Sequence, residues 1–174
     1  IAGTLLLLRL NAIPDGFCTA AYPMLTRRFR DGRVHGTQLM LLWLGLVLIS
    51  CLCVALCIYS FAGPIAHLLF PAESEICAMV IRVTIWALPL FAIESALGYA
   101  INAAGADAEQ ARASLPAAMV NITLTIYLMQ QAGIAGACVA VPLRRAVRII
   151  LLTVCFLKWY STGDENPAMA AAMA

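Results

Sequence analysis

The sequence predicts an all-α fold, an integral membrane bundle of about five transmembrane helices, and three observations support this prediction. Of the 174 residues, 63% are hydrophobic and 11% are charged, whereas soluble domains average about 45–50% apolar and about 25% charged residues. Several apolar runs are long enough to cross a bilayer. No stretch alternates polar and apolar residues between turn signals, as β-strands would.

A transmembrane helix needs about 20 consecutive apolar residues. The clearest candidate, 39–62, contains no charged residue. The other stretches carry isolated prolines or charges, which a helix within a bundle tolerates. The predicted spans are 10–26, 39–62, 76–104, 113–131 and 134–159. The short, low-complexity segment 161–174 is predicted to be a disordered tail.

Lysine and arginine fall on alternate connections between these spans. One side carries them and the other carries none, and the positive-inside rule places the basic side in the cytoplasm. The sequence therefore predicts a multi-pass protein of the cytoplasmic (inner) membrane with a cytoplasmic C-terminus. Its basic loop would determine topology and contact lipid phosphates. The residues on the basic side are Arg27, Arg28, Arg30 and Arg33 in that loop, followed by Arg112 and Lys158.

Three arginines, Arg144, Arg145 and Arg148, lie inside the last predicted span. At a rise of about 1.5 Å per residue, Arg144 lies roughly 16 Å from Gly133 at the outer edge, close to the middle of the bilayer. Charged groups at this depth usually face a cavity or a partner. We interpret them as a basic cluster that lines a cavity. The alternative is that Pro142 ends the span and leaves the arginines in an interfacial loop.

Two carboxylates are also predicted to lie deep, Glu94 roughly 15 Å and Asp15 roughly 18 Å from the cytoplasmic edge. Such groups are candidates for coupling transport to a proton or sodium gradient. Alternatively, Glu94 is the structural partner of a buried arginine, and Asp15 satisfies backbone groups freed by Pro14. Arg82 is close enough to the outer edge to act as an interface anchor.

Other classes of function find little support in the sequence. The net charge of +2 is too small to indicate a nucleic-acid-binding surface. The seven cysteines show no metal-ligand spacing, so neither a metal nor a cofactor is predicted. An enzyme of lipid-linked sugar metabolism would need clustered acids or a nucleophile and base, and we identify no catalytic residue. A purely structural membrane subunit remains an alternative.

Several segments, in order along the chain, resemble the oligosaccharide and polysaccharide flippases of the multidrug/oligosaccharidyl-lipid/polysaccharide exporter superfamily. AAYPMLTRRFRDG (20–32) is similar to their helix end and basic loop, and IAHLLFPAESE (65–75) to an outer segment. NAAGADAEQ (102–110) resembles a turn between spans, and NITLTIYLMQQAGIAGACVA (121–140) resembles a helix pair. The resemblance covers roughly 10–160.

The resemblance implies two bundles of six or more helices around a cavity that opens alternately to each side of the membrane. The implied substrate is a polyprenyl-pyrophosphate-linked oligosaccharide used for cell-surface polysaccharide. This chain would be part of one bundle, with the remaining helices of the transporter as its partners. Because it starts at Ile1 with a leucine run and no signal peptide, we expect an internal piece of a longer protein. The alternative within the superfamily is a cation-coupled drug antiporter.

Overall fold

The computed structural model describes the backbone of residues 2–162 and the side chains of 12, 14–106, 108, 110–112 and 114–161. This part of the chain contains helices and no strand, which confirms the all-α prediction. The elements are α1 (Ala2–Asp31), α2 (Arg33–Ser60), α3 (Ala62–Leu69), a 3-10 turn (Pro71–Glu73), α4 (Ser74–Thr84), α5 (Ala87–Ala103) and α6 (Asp107–Thr162).

Two segments in the described part are long and apolar enough to cross a membrane. They are Arg33–Ser60, with a mean hydropathy of 2.8, and Pro71–Ala103, with a mean hydropathy of 2.2. They correspond to the predicted spans 39–62 and 76–104. Buried helices of soluble proteins can pass the same test of length and composition, so the five-span bundle stays a prediction.

The long helix α6 is broken at one residue. Gly133 has φ 56° and ψ −131°, a left-handed backbone conformation that disfavours any side chain. The break separates two arms, 107–132 and 134–162, and lies between the predicted spans 113–131 and 134–159.

The two arms of α6 pack against each other. Asn121 and Thr125 on the first arm line the same groove as Arg144 on the second. Close to the break, a Cβ atom added to Gly136 would lie 1.9 Å from the Leu128 carbonyl oxygen. Only a glycine therefore fits where the second arm passes the backbone of the first.

Helix α5 lies at the centre and packs on α1, α2 and α6. Small side chains at Ala92, Ala96 and Ala100 are buried, which lets neighbouring backbones approach closely, as is common between membrane helices. The largest core cluster joins α1, α2, α5 and the second arm of α6. Its buried members are Ala21, Leu25, Phe29, Met40, Leu97, Ala100, Ile101, Ala103, Ala104, Ala106, Leu152 and Phe156.

The connections that carry lysine and arginine come together at one end of the molecule. Arg33 donates a hydrogen bond to the Tyr160 carbonyl oxygen at 3.1 Å, and its guanidinium lies 4.6 Å from the ring centroid of Trp159. Phe29 packs edge-on against Trp159 with centroids 6.0 Å apart. The α5–α6 turn joins the same end through Ala104, which belongs to the core cluster of Phe29.

The structure corrects the boundaries of the predicted basic loop. Only Gly32, with φ 145°, separates α1 from α2. Arg27, Arg28 and Arg30 are exposed residues in the last turns of α1, and Arg33 is the first residue of α2. The basic segment is helical because a single glycine is enough to reverse the chain, so no longer loop is needed.

The structure contradicts the alternative in which Pro142 ends a span, and it changes where the predicted tail begins. Helix α6 continues through Pro142 to Thr162, so Pro142 does not end a span. The predicted disordered tail begins at Ser161, which still belongs to this helix, and 163–174 lie outside the described residues.

Candidate functional site

A buried carboxylate and two arginines form an ion cluster between α5 and the second arm of α6. The Glu94 side chain is 5% exposed, and its two oxygens each bind one guanidinium. Arg145 Nη1 lies 2.5 Å from Oε2, and Arg148 Nη1 lies 2.8 Å from Oε1. Of the two alternatives for Glu94, its pairing with a buried arginine is observed, and a role in ion coupling stays a prediction.

The two arginines differ in their surroundings. The Arg145 side chain is 17% exposed, and its guanidinium lies 4.4 Å from the ring centroid of Phe91. Packing against an aromatic face stabilises a desolvated guanidinium. The Arg148 side chain is 41% exposed. Arg145 is therefore held within the packed bundle, while Arg148 reaches its surface.

Arg144 points to a different place from its neighbours. It lines an open groove of about 290 Å³ between the two arms of α6, together with Asn121, Ile122, Thr125 and Ile126. The three predicted cavity arginines are thus divided, because Arg145 and Arg148 bind Glu94 whereas Arg144 faces this groove. Asn121 and Thr125 were not selected from the sequence, where nothing indicated that they would meet Arg144 across the Gly133 break.

Two buried polar atoms near these arginines find no hydrogen-bond partner within the described residues. They are Arg145 Nε, a donor, and Asn121 Oδ1, an acceptor. Leaving a buried polar atom unpaired costs about 1–3 kcal/mol. Both atoms are buried, one beside the Glu94 ion cluster and one beside the groove between the arms of α6.

A second polar contact joins α1 to α5. The Ser95 hydroxyl donates to Asp15 Oδ1 at 2.9 Å, and the Thr19 and Tyr99 hydroxyls are hydrogen-bonded at 2.9 Å. Tyr22 packs edge-on against Tyr99 with centroids 6.0 Å apart. Asp15 was predicted from the sequence and the other residues were not, although Asp15 with Thr19 and Ser95 with Tyr99 both show the i, i+4 spacing of one helix face.

Arg82, predicted to be an interface anchor, makes its contacts outside both clusters. Its guanidinium is 5.9 Å from the ring centroid of Tyr59, and Tyr59 lies 6.0 Å from Trp86. Tyrosine and tryptophan beside an arginine are typical of membrane–water interfaces.

The described residues contain no group of three or more His, Cys, Asp or Glu side chains that could hold a metal ion. The seven cysteines are free thiols. The chemistry of this region is therefore that of guanidinium, carboxylate, amide and hydroxyl groups.

Comparisons with known proteins provide no identification. No family model matches the chain, and searches of curated proteins and of solved structures also find no match.

Proposed function

We propose that this chain is a membrane-embedded part of a transporter that flips a polyprenyl-pyrophosphate-linked oligosaccharide across the cytoplasmic membrane. It would act by alternating access, together with further helices that complete the transporter. The product would serve cell-surface polysaccharide or envelope assembly. The basic end of the bundle, including the C-terminus, would face the cytoplasm.

The outer surface of α2 supports placement in a membrane. Five large aliphatic side chains on this helix are between 51% and 68% exposed. Apolar surface left in water costs about 25 cal/mol per Å², and soluble proteins rarely expose large contiguous patches of it. Contact with lipid tails removes this cost. The five residues are Leu41, Leu42, Leu46, Ile49 and Leu56.

The hydroxyl groups of the helices are satisfied within the helices, which is compatible with a membrane location. Many serine and threonine side chains donate to the carbonyl oxygen four residues earlier in their own helix, as Ser50 does to Leu46 at 2.9 Å and Thr123 to Met119 at 3.0 Å. Since lipid provides no hydrogen-bond partner, hydroxyls in a membrane must be satisfied internally.

The observation that carries the proposed substrate is the charge of the arginine cluster. Arg145 and Arg148 share the one negative charge of Glu94, and Arg144 adds a positive charge in the groove between the arms of α6, which leaves an excess of two positive charges. Guanidinium groups bind phosphate oxygens through paired hydrogen bonds. A pyrophosphate matches this excess.

The test compares Arg144→Ala, Arg148→Ala and the double variant in full-length protein, in cells that depend on it for surface glycan. Arg148→Ala leaves Glu94 paired with Arg145, so its effect should not arise from an unpaired buried carboxylate. We expect surface glycan to fall at least about tenfold in the double variant, because each lost charge-assisted hydrogen bond is worth about 1.5–3 kcal/mol. Lipid-linked precursor should accumulate in the membrane.

Arg82→Ala is the matched control, since Arg82 contacts Tyr59 outside the cluster. It should leave surface glycan unchanged, and the abundance of every variant must equal that of the wild type. Normal glycan in the double variant at normal abundance would refute the proposal that these arginines bind the substrate.

A cation-coupled drug antiporter is the second candidate. It is favoured by Asp15, which binds a serine hydroxyl and lies near the aromatic pair Tyr22 and Tyr99, because organic cations bind carboxylates and aromatic faces. Export of a fluorescent organic cation that is lost in Asp15→Asn and retained in Arg144→Ala would support the antiporter over the flippase.

A further inference from the structure

We propose that Arg82, Tyr59 and Trp86 bind the phosphate diester of one phospholipid in the outer leaflet of the membrane. This inference rests on the proposed location in a membrane and goes beyond the proposed transport function. The three residues make their contacts outside the ion cluster of Glu94 and the groove of Arg144. The lipid would therefore be a bound component of the protein and not the transported substrate.

The three side chains come from different elements and meet at one surface. Tyr59 lies in the last turn of α2, Arg82 in the last turn of α4, and Trp86 directly before α5. The Arg82 guanidinium lies 5.9 Å from the ring centroid of Tyr59, and the ring centroids of Tyr59 and Trp86 are 6.0 Å apart. Their polar groups are guanidinium and indole N–H groups, which can only donate, and a phenol hydroxyl, which can also donate. Such a set of donors favours an anion as ligand.

The positive charge of Arg82 has no counter-charge in the described part of the chain. Glu94, the carboxylate inside the bundle, is bound by Arg145 and Arg148, and Arg82 forms no ion pair with any described residue. A guanidinium beside an aromatic ring keeps N–H groups at its edge, and these bind phosphate oxygens in pairs. The single negative charge of a phosphate diester matches the single charge of Arg82.

The site is open to a lipid and lies at a suitable depth. Arg82 is exposed, and Tyr59 and Trp86 are 42% and 40% exposed. Tyr59 follows Leu39, the start of the predicted span, by 20 positions, which corresponds to roughly 30 Å of helix, the thickness of the hydrocarbon core. Tyr59 therefore lies at the outer edge of this core, beside the phosphates of the outer leaflet.

Apolar surface continues from this site towards the middle of the bilayer. Leu56 lies one turn deeper on α2 and is 52% exposed, and Trp86 lies one turn after Arg82 in the chain that runs back into the membrane. An acyl chain attached to the phosphate would lie along these two side chains. This arrangement favours a phospholipid over a free phosphate ion, which would gain nothing from the apolar surface.

The experiment measures contact between Trp86 and lipid in bilayer nanodiscs that contain the full-length protein. A small fraction of the phosphatidylcholine is replaced by phosphatidylglycerol or phosphatidylcholine with brominated acyl chains, which quench tryptophan fluorescence on contact. The signal of Trp86 is the difference between the protein and its Trp86→Phe variant. We expect phosphatidylglycerol to bind about fivefold better than phosphatidylcholine, because an arginine at the membrane surface attracts an anionic lipid.

Arg82→Gln should abolish this preference, and Arg82→Lys should lose most of it, because an ammonium has no planar fork to bind two phosphate oxygens. Arg30→Gln is the matched control, since it removes an exposed arginine at the other end of the molecule and should leave the preference unchanged. Native mass spectrometry provides a second measurement without any change to Trp86, and Arg82→Gln should retain one phosphatidylglycerol fewer than the wild type.

Four results would overturn the lipid site. They are equal quenching by the two lipids in the wild type, an unchanged preference in Arg82→Gln, a preference in Arg82→Lys equal to that of the wild type, and loss of the preference on addition of inorganic phosphate. The third result would indicate attraction by charge alone, and the fourth would indicate a site for free phosphate. If glycan export fails as a function while the preference still depends on Arg82, the flippase proposal is wrong and the lipid site stands.

Discussion

At the scale of single residues, Glu94 on α5 forms two ion pairs with α6. Its carboxylate is 5% exposed and binds two arginines. Removing one partner from a buried ion pair costs about 3–5 kcal/mol, because the remaining charge stays buried. The cost is smaller for the pair with Arg148, because the Arg148 side chain is 41% exposed and solvent screens its charge.

We therefore predict that Glu94→Gln lowers the melting temperature of the purified protein and that Arg145→Gln does the same. The double variant should recover part of the loss, since it removes both charges of the most buried pair. The measurement is thermal unfolding in detergent, analysed as a double-mutant cycle. Glu73→Gln, which changes an exposed carboxylate, is the control. Additive losses from the two single changes would show that the pair contributes no coupling energy.

The depth of these residues in a membrane follows from counting residues along a helix of known rise, and it stays a prediction. Which residues they meet could not be predicted from the sequence. The contact between Glu94 and Arg145 depends instead on how α5 and α6 are rotated against each other. The two residues are 51 positions apart in the sequence. The same reason explains why Ser95 and Tyr99 were missed, since their partners are on α1 and no local pattern relates the two helices.

At the scale of secondary-structure elements, the hairpin formed by α6 depends on two glycines for different reasons. Gly133 supplies a positive φ of 56°, and Gly136 leaves room for the Leu128 carbonyl oxygen, 1.9 Å from where its Cβ would be. The helix break at Gly133 falls between the predicted spans 113–131 and 134–159, because a glycine-containing polar gap between apolar runs is a local signal. The close contact at Gly136 was not predicted, because it exists only when the arms are folded together.

We predict that Gly133→Ala and Gly136→Ala each destabilise the protein by about 1–3 kcal/mol, the first through backbone strain and the second through overpacking. Gly45→Ala is the matched control, because a Cβ there meets nothing within 4 Å and alanine favours a helix over glycine by about 0.5–1 kcal/mol. It should leave the melting temperature unchanged or raised. If all three variants melt alike, the hairpin does not depend on these glycines.

At the scale of the whole molecule, the positions of lysine and arginine can be compared with the arrangement of the helix ends. The sequence predicted that the three connections that hold lysine or arginine share one side, and the structure brings Arg33 at the start of α2 next to Trp159 and Tyr160 near the end of α6. The assignment of this side to the cytoplasm stays a prediction. Within the described residues, two segments pass a test of length and apolar composition, while the predicted spans 10–26, 113–131 and 134–159 carry prolines or charges, so the five-span bundle stays a prediction.

The last prediction concerns which side of the membrane each end faces. Arg30, at the basic end, and Glu73, in the 3-10 turn between α3 and α4, are both exposed. In a cysteine-free background, Arg30→Cys and Glu73→Cys would each introduce one labelling site. A membrane-impermeant maleimide should label Glu73→Cys in intact cells and Arg30→Cys only after permeabilisation, because lysine and arginine near span ends are retained on the cytoplasmic side.

Denatured samples provide the control for this labelling, since both cysteines should react fully once the membrane is dissolved. Labelling of both sites in intact cells would mean that the basic end is not cytoplasmic. Labelling of Arg30→Cys alone would mean that the protein is inserted the other way round. In that case the proposed direction of transport would have to be reversed, although the arginine cluster at Glu94, near mid-depth, would keep its position relative to both sides.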